Sequence, residues 1–219
     1  MEELNQGKME KLLDWSYDKA LNGVPGTPSA IEIAENYLRK YPNSEVAINK
    51  MIKMQAGKTA TSGFLTGFGG LITLPVSIPA NIASVVYVQM RMIAIIAHIR
   101  GYDLKDDEVQ TMVYMCLTGQ SIADVAKNVG ISFAKKAGTA QIRKIPGTVL
   151  TKINQKVGFR LITKFGEKGV VNLGKMVPAL GGAIGATFDF TSTKAIAKVA
   201  KSTFEPVSDN SERNRIIIN

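Results

Sequence analysis

Residues able to do chemistry are few in this 219-residue chain, and most stand alone. There is one histidine, His98, and one cysteine, Cys116. Only these two could form a cysteine–histidine nucleophile pair, and Cys116 falls in the apolar run from Met112 to Leu117, the setting of a core thiol. A Gly-x-Ser-x-Gly elbow, a His-Glu-x-x-His pair and a second cysteine to share a zinc ion are all missing. Asp103, Asp106, Asp107 and Glu108 cluster, but without the ligand spacing and central glycine of a calcium loop. No metal and no cofactor is expected. The residues predict a non-catalytic protein, with an enzyme built on an unrecognised carboxylate or on Cys116 as the alternative.

Polar residues inside apolar stretches are the second candidate feature. Between Thr59 and Met90 no charged side chain occurs in 32 residues, a length that raises the question of a membrane span. Pro75 and Pro79 break the stretch, because each removes a helical hydrogen bond. Two helices joined around Thr73 to Ser77 and buried as a hairpin are therefore favoured over a simple span. Along the second, from Ser77 to Arg100, the polar residues Ser77, Ser84, Arg91 and His98 recur every seven positions, and Asn81 shares their stripe. A helix that is apolar nearly all round is buried or in lipid. The stripe then faces another helix or lines a groove for lipid or ligand, or it is a partly solvated edge. Asp189, alone in a late apolar helix, needs a cation nearby if buried; Arg91 is the expected partner, with His98 second.

Charge is the third feature. The chain carries net +9, unevenly distributed. From Lys127 to Lys175 eleven bases, among them Lys135, Lys136, Arg143, Lys144, Lys152, Lys156, Arg160 and Lys164, face the single acid Glu167. Such a field attracts the anionic lipids of a cytoplasmic leaflet, nucleic acid or an acidic protein face, or it serves only as a solvated surface. Few aromatics are interleaved, namely Phe133, Phe159 and Phe165, so nucleic acid is not the expected partner.

The elements that must position these residues are helical. Apolar residues make up 45% and the mean hydropathy is +0.05, enough to fill a large core. Helical periodicity dominates, and no alternating β-branched run is bounded by turn pairs. The expected fold is all-α: a single compact multi-helix domain with a buried glycine-rich hairpin and an N-terminal helical arm. The arm, residues 1–42, holds helices over Glu2 to Leu21 and Ser29 to Lys40, divided by the Asn22 to Pro28 turn. Ser44 is expected to cap a third helix with Val46, Ile48, Met51, Ile52 and Met54 as apolar positions. The domain proper covers 43–204, with Gly101 as a helix stop and Asp106 as the next start, and a disordered tail covers 205–219. Met1 to Gly23 holds five acids and an amphipathic pattern, unlike a secretory leader. The lone cysteine fits a reducing compartment, so a cytoplasmic location is expected.

Glycines mark both ends of the core. Gly63, Gly67 and Gly70 share one helical line, and Gly182 and Gly185 form another. Each glycine costs a helix roughly 1 kcal/mol against alanine, and close helix approach is the expected return. The run Gly69-Gly70-Leu71-Ile72-Thr73-Leu74-Pro75, followed by Gly101-Tyr102-Asp103 and by Pro178, Gly181 and Gly185, resembles the EcsC family over about Ala47 to Ser202. That family takes its name from an accessory protein of an ABC transporter system linked to protein secretion. The resemblance implies a membrane neighbourhood and a possible transporter partner, and it supplies no catalytic residues. Together the residues predict a cytoplasmic protein at the membrane surface that binds anionic lipid or an apolar ligand, or docks on a membrane complex without binding lipid.

Overall fold

The structure, a computed structural model, describes residues 4–24, 26–59, 78, 80–127, 130, 145–165 and 183–207, with side chains omitted at 56–59, 80, 81, 122 and 183–191. The fold is all-α. Eight helices are described: α1 (Gln6–Asn22), α2 (Ala30–Lys40), α3 (Ser44–Thr59), α4 (Ala80–Ile99), α5 (Asp107–Leu117), α6 (Ile122–Lys127), α7 (Gly147–Phe165) and α8 (Ala183–Thr203). Among the described residues there is no strand, only an isolated bridge between Val24 and Thr27.

Local chemistry sets the helix ends. The Asn5 side chain accepts from Lys8 N at 3.0 Å and starts α1. Gly23 stops it at φ 78°, where a Cβ would lie 2.9 Å from the Thr27 carbonyl oxygen. Ser29 opens α2 through a reciprocal capping box: Glu32 N donates to Ser29 Oγ at 3.1 Å and Ser29 N donates to Glu32 Oε2 at 2.7 Å. The cap of α3 is Asn43 rather than the expected Ser44, since Asn43 Oδ1 accepts from Val46 N at 2.9 Å and Ser44 is already helical. Gly101, at φ 91°, closes α4: its N–H reaches His98 O at 2.9 Å, and Tyr102 N reaches Ala97 O at 3.1 Å. Asp106 takes the N-cap position of α5 with its backbone, and its side chain does not cap.

Helix α4 is the axis of the molecule. It packs against α1, α2, α3, α5 and α8, while α7 packs on α1 and α5 and touches α6. Every residue from 86 to 99 is buried, so α4 is apolar around most of its circumference because it has neighbours around most of it. Its Ile82–Ile99 window is long and apolar enough to cross a bilayer, yet 83% of it is buried within the protein. The expected start at Ser77 is revised: the helix begins at Ala80, and Ile78, which precedes a proline and so is disfavoured as α, lies outside it. The first half of the expected hairpin, with Gly63, Gly67 and Gly70, lies outside the described residues, as do Gly182 and most of the tail.

The N-terminal arm shares this core. Met9, Leu12, Leu13 and Tyr17 of α1 and Ala30, Ala34 and Tyr37 of α2 belong to the same buried cluster as α4. The Tyr17 hydroxyl donates to Leu104 O at 2.7 Å, and Trp15 packs on Tyr87 with ring centroids 6.2 Å apart. On α3, Ile48 and Met51 are buried as expected, whereas Met54 is 48% exposed. At the start of the tail, Val207 N donates to Arg100 O at 3.1 Å, tying that segment to the end of α4.

Candidate functional site

The polar stripe of α4 is buried. Arg91 is 4% and His98 7% exposed, and Ser84 is half-buried. His98 Nε2 lies 2.8 Å from Glu35 Oε1 on α2, a partner not anticipated from the sequence. Arg91 sits over the Tyr87 ring, its guanidinium carbon 5.4 Å from the centroid, and its Nε has no hydrogen-bond partner. No carboxylate is paired with Arg91 among the described residues. Asp189 and Gly185 lie on α8 and Asn81 on α4, but the Asp189 and Asn81 side chains, and therefore the expected Arg91–Asp189 pair, lie outside the description.

Where α4 ends, charges hold the helices together. Glu45 at the start of α3 accepts from Arg100 Nη2 at 2.6 Å and also pairs with Lys201 of α8, which donates to Asn49 Oδ1 at 2.9 Å as well. The Lys201 ammonium first, then the Arg100 guanidinium, hold the Glu45 carboxyl below its usual range. Cys116 is fully buried, and burial pushes its thiol up to about 12, which leaves no thiolate at neutral pH. Burial likewise raises the Tyr17 hydroxyl, with the Asp103, Asp106 and Asp107 charges adding to it. No group of three or more His, Cys, Asp or Glu side chains is placed to hold a metal ion among the described residues.

The basic segment contributes an open surface instead. Leu150, Ile153, Val157 and Leu161 bury one side of α7, and the opposite side carries Lys152 and Lys156, both exposed, with Arg160 half-exposed beside them. Phe159 stands among them, 63% exposed. No acid occurs on the helix. Lys152, Lys156 and Phe159 follow i, i+4, i+7 spacing, which places them on one helical face.

Lys164 departs from that face. It is half-buried, donates to the Leu117 carbonyl at 3.3 Å and lies 5.3 Å from the Phe165 ring centre. A cation at the C-terminus of α5 complements the helix dipole, and burial lowers the Lys164 ammonium below its usual range. Lys135, Lys136, Arg143 and Lys144 lie outside the described residues.

Helix α1 closes the near edge of the basic face. Gln6 Nε2 donates to Gln155 O at 2.9 Å and to Glu10 Oε1 at 2.8 Å. Gly158 permits this approach, since a Cβ there would lie 2.9 Å from Gln6 Nε2. Gln6, Lys152, Gln155, Lys156 and Phe159 line an open pocket of about 430 Å³. Phe159 and Gln6 were not singled out from the sequence as site residues. The spacing of Lys152, Lys156 and Phe159 held the signal for the first; no local pattern marks the second.

The EcsC protein family model matches residues 32–205, beginning within α2 and ending just past α8. No curated protein and no solved structure matches the chain significantly.

Proposed function

The chain belongs to the EcsC protein family, and we propose that it works at an anionic membrane surface, docking through the exposed face of α7. The observation that carries this reading is Phe159, 63% exposed among Lys152, Lys156 and Arg160 on a helix without an acid. An exposed aromatic beside bases suits a membrane surface: the ring enters the headgroup boundary while the cations remain with the phosphates. Each basic residue near an anionic leaflet contributes about 1 kcal/mol, and partial burial of a phenylalanine adds about 1–2 kcal/mol. These terms support weak, reversible and salt-sensitive attachment, as expected of a peripheral protein of the cytoplasmic leaflet. The role is one of binding rather than catalysis.

Flotation of the intact protein with phosphatidylcholine vesicles, with and without phosphatidylglycerol, tests the reading. Binding should require the anionic lipid and fall as salt rises, because screening shortens the reach of the cations. Indifference to both vesicle types would overturn it.

A further inference from the structure

We propose that the pocket between α1 and α7 seats the headgroup of a phosphomonoester lipid, so that the membrane contact is selective as well as electrostatic; this rests on the membrane reading above. Lys152 and Lys156 both line one pocket of about 430 Å³, and no carboxylate is among its described lining residues. Glu10, the acid associated with this edge, accepts from the Gln6 amide and is not a lining residue. Gln6 is fixed by its second bond, to Gln155 O at 2.9 Å, so the α1 side of the pocket is preorganised.

Charge identifies the occupant. A phosphomonoester carries about −1.5 to −2 at pH 7, which the two lysine charges match, whereas a phosphodiester such as phosphatidylglycerol carries about −1. Nearby cations also favour the second ionisation of the monoester. Phe159 selects the source. It lines the same pocket and is 63% exposed, so a phosphate seated there lies beside an apolar side chain able to enter acyl chains. A soluble phosphate ester has no use for that ring.

The test is flotation of the full chain with phosphatidylcholine vesicles containing either phosphatidic acid or phosphatidylglycerol, at matched surface charge. Phosphatidic acid should bind about fivefold more tightly, the worth of roughly one additional charge contact. Lys152→Ala and Lys156→Ala should each remove that preference while leaving residual binding to phosphatidylglycerol, and Lys50→Ala on α3 should preserve it. Glycerol 3-phosphate at equal phosphate concentration should not displace the protein. Equal affinity for the two lipids overturns the headgroup seat and leaves the membrane reading standing, whereas loss of binding to every vesicle removes both. Displacement by glycerol 3-phosphate overturns the lipid as the source of the phosphate.

Discussion

Helices α4 and α7 both carry basic side chains, and they use them in opposite ways. In α4 the basic groups Arg91 and His98 are covered, one over the Tyr87 ring and the other against Glu35. In α7 Lys152 and Lys156 project into solvent beside an exposed phenylalanine. The difference follows from what packs on each helix. Five helices surround α4, whereas among the described residues α7 rests on α1, α5 and the short α6, and its Lys152, Lys156 and Phe159 remain exposed. A lone charge in an apolar helix is thus absorbed by the fold, and a row of charges along an amphipathic helix stays available to a partner.

The largest effect expected from breaking this comparison lies in the core. Ile93 of α4 is fully buried, and Ile93→Ala should cost about 2–5 kcal/mol of stability, read by urea unfolding, without altering lipid selectivity in the folded fraction. Reversing both Lys152 and Lys156 to glutamate should have the converse signature. It changes four units of charge at about 1 kcal/mol each near an anionic surface, so vesicle affinity should fall by on the order of a hundredfold or more. Stability should move by less than about 0.5 kcal/mol, as for exposed surface positions. Parallel losses of stability and affinity in that variant would erase the distinction between the helices.

Arg91→Met sharpens the buried half. Among the described residues the covered Arg91 cation has no paired carboxylate, a net burden if that holds, so the substitution should leave stability unchanged or raise it by about 1–4 kcal/mol. A loss of about 3–5 kcal/mol, the cost of orphaning a buried partner, would reveal a carboxylate against it. The smallest effect concerns Glu45. Its folded-state pKa is lowered below the ordinary 4.5 by Lys201 and then Arg100, so its contribution is complete above the unfolded value and is lost as pH falls through the folded one. The side chain is 49% exposed, which limits that contribution to below about 1 kcal/mol. The stability gap between wild type and Glu45→Gln should therefore close on acidification below about pH 4.5.

Features carried by short-range chemistry were legible in the sequence. The break between the first two helices and the Gly101 stop act within one or two turns and appear in the fold, although the break begins at Gly23 rather than Asn22, and Ser29 caps the second helix instead of joining it. Periodicity also identified α4 as a helix with a polar stripe, though the buried Gln89, whose Nε2 donates to Ser192 Oγ at 3.3 Å, lies off it. What it could not assign was the neighbour on each face. Glu35 meets His98 across 63 positions, and Lys164 turns inward to the α5 terminus while Lys156, two turns earlier on the same helix, remains outside. Those outcomes depend on how helices cross, and no local spacing encodes a crossing. Gln6 shows the same limit, since it is held at the pocket by its bond to Gln155 O, 149 positions away in the chain.

Trp15 gives the molecule its own optical reporter. It is the sole tryptophan of the chain and stands half-covered where α1 meets α4, against Tyr87. Its emission colour registers the seating of α1, while α7 has no indole of its own. Attachment through α7 alone should leave the spectrum in place, whereas a shift to the red on contact with vesicles would mean that α1 has lifted and that the greasy axis beneath it has been uncovered.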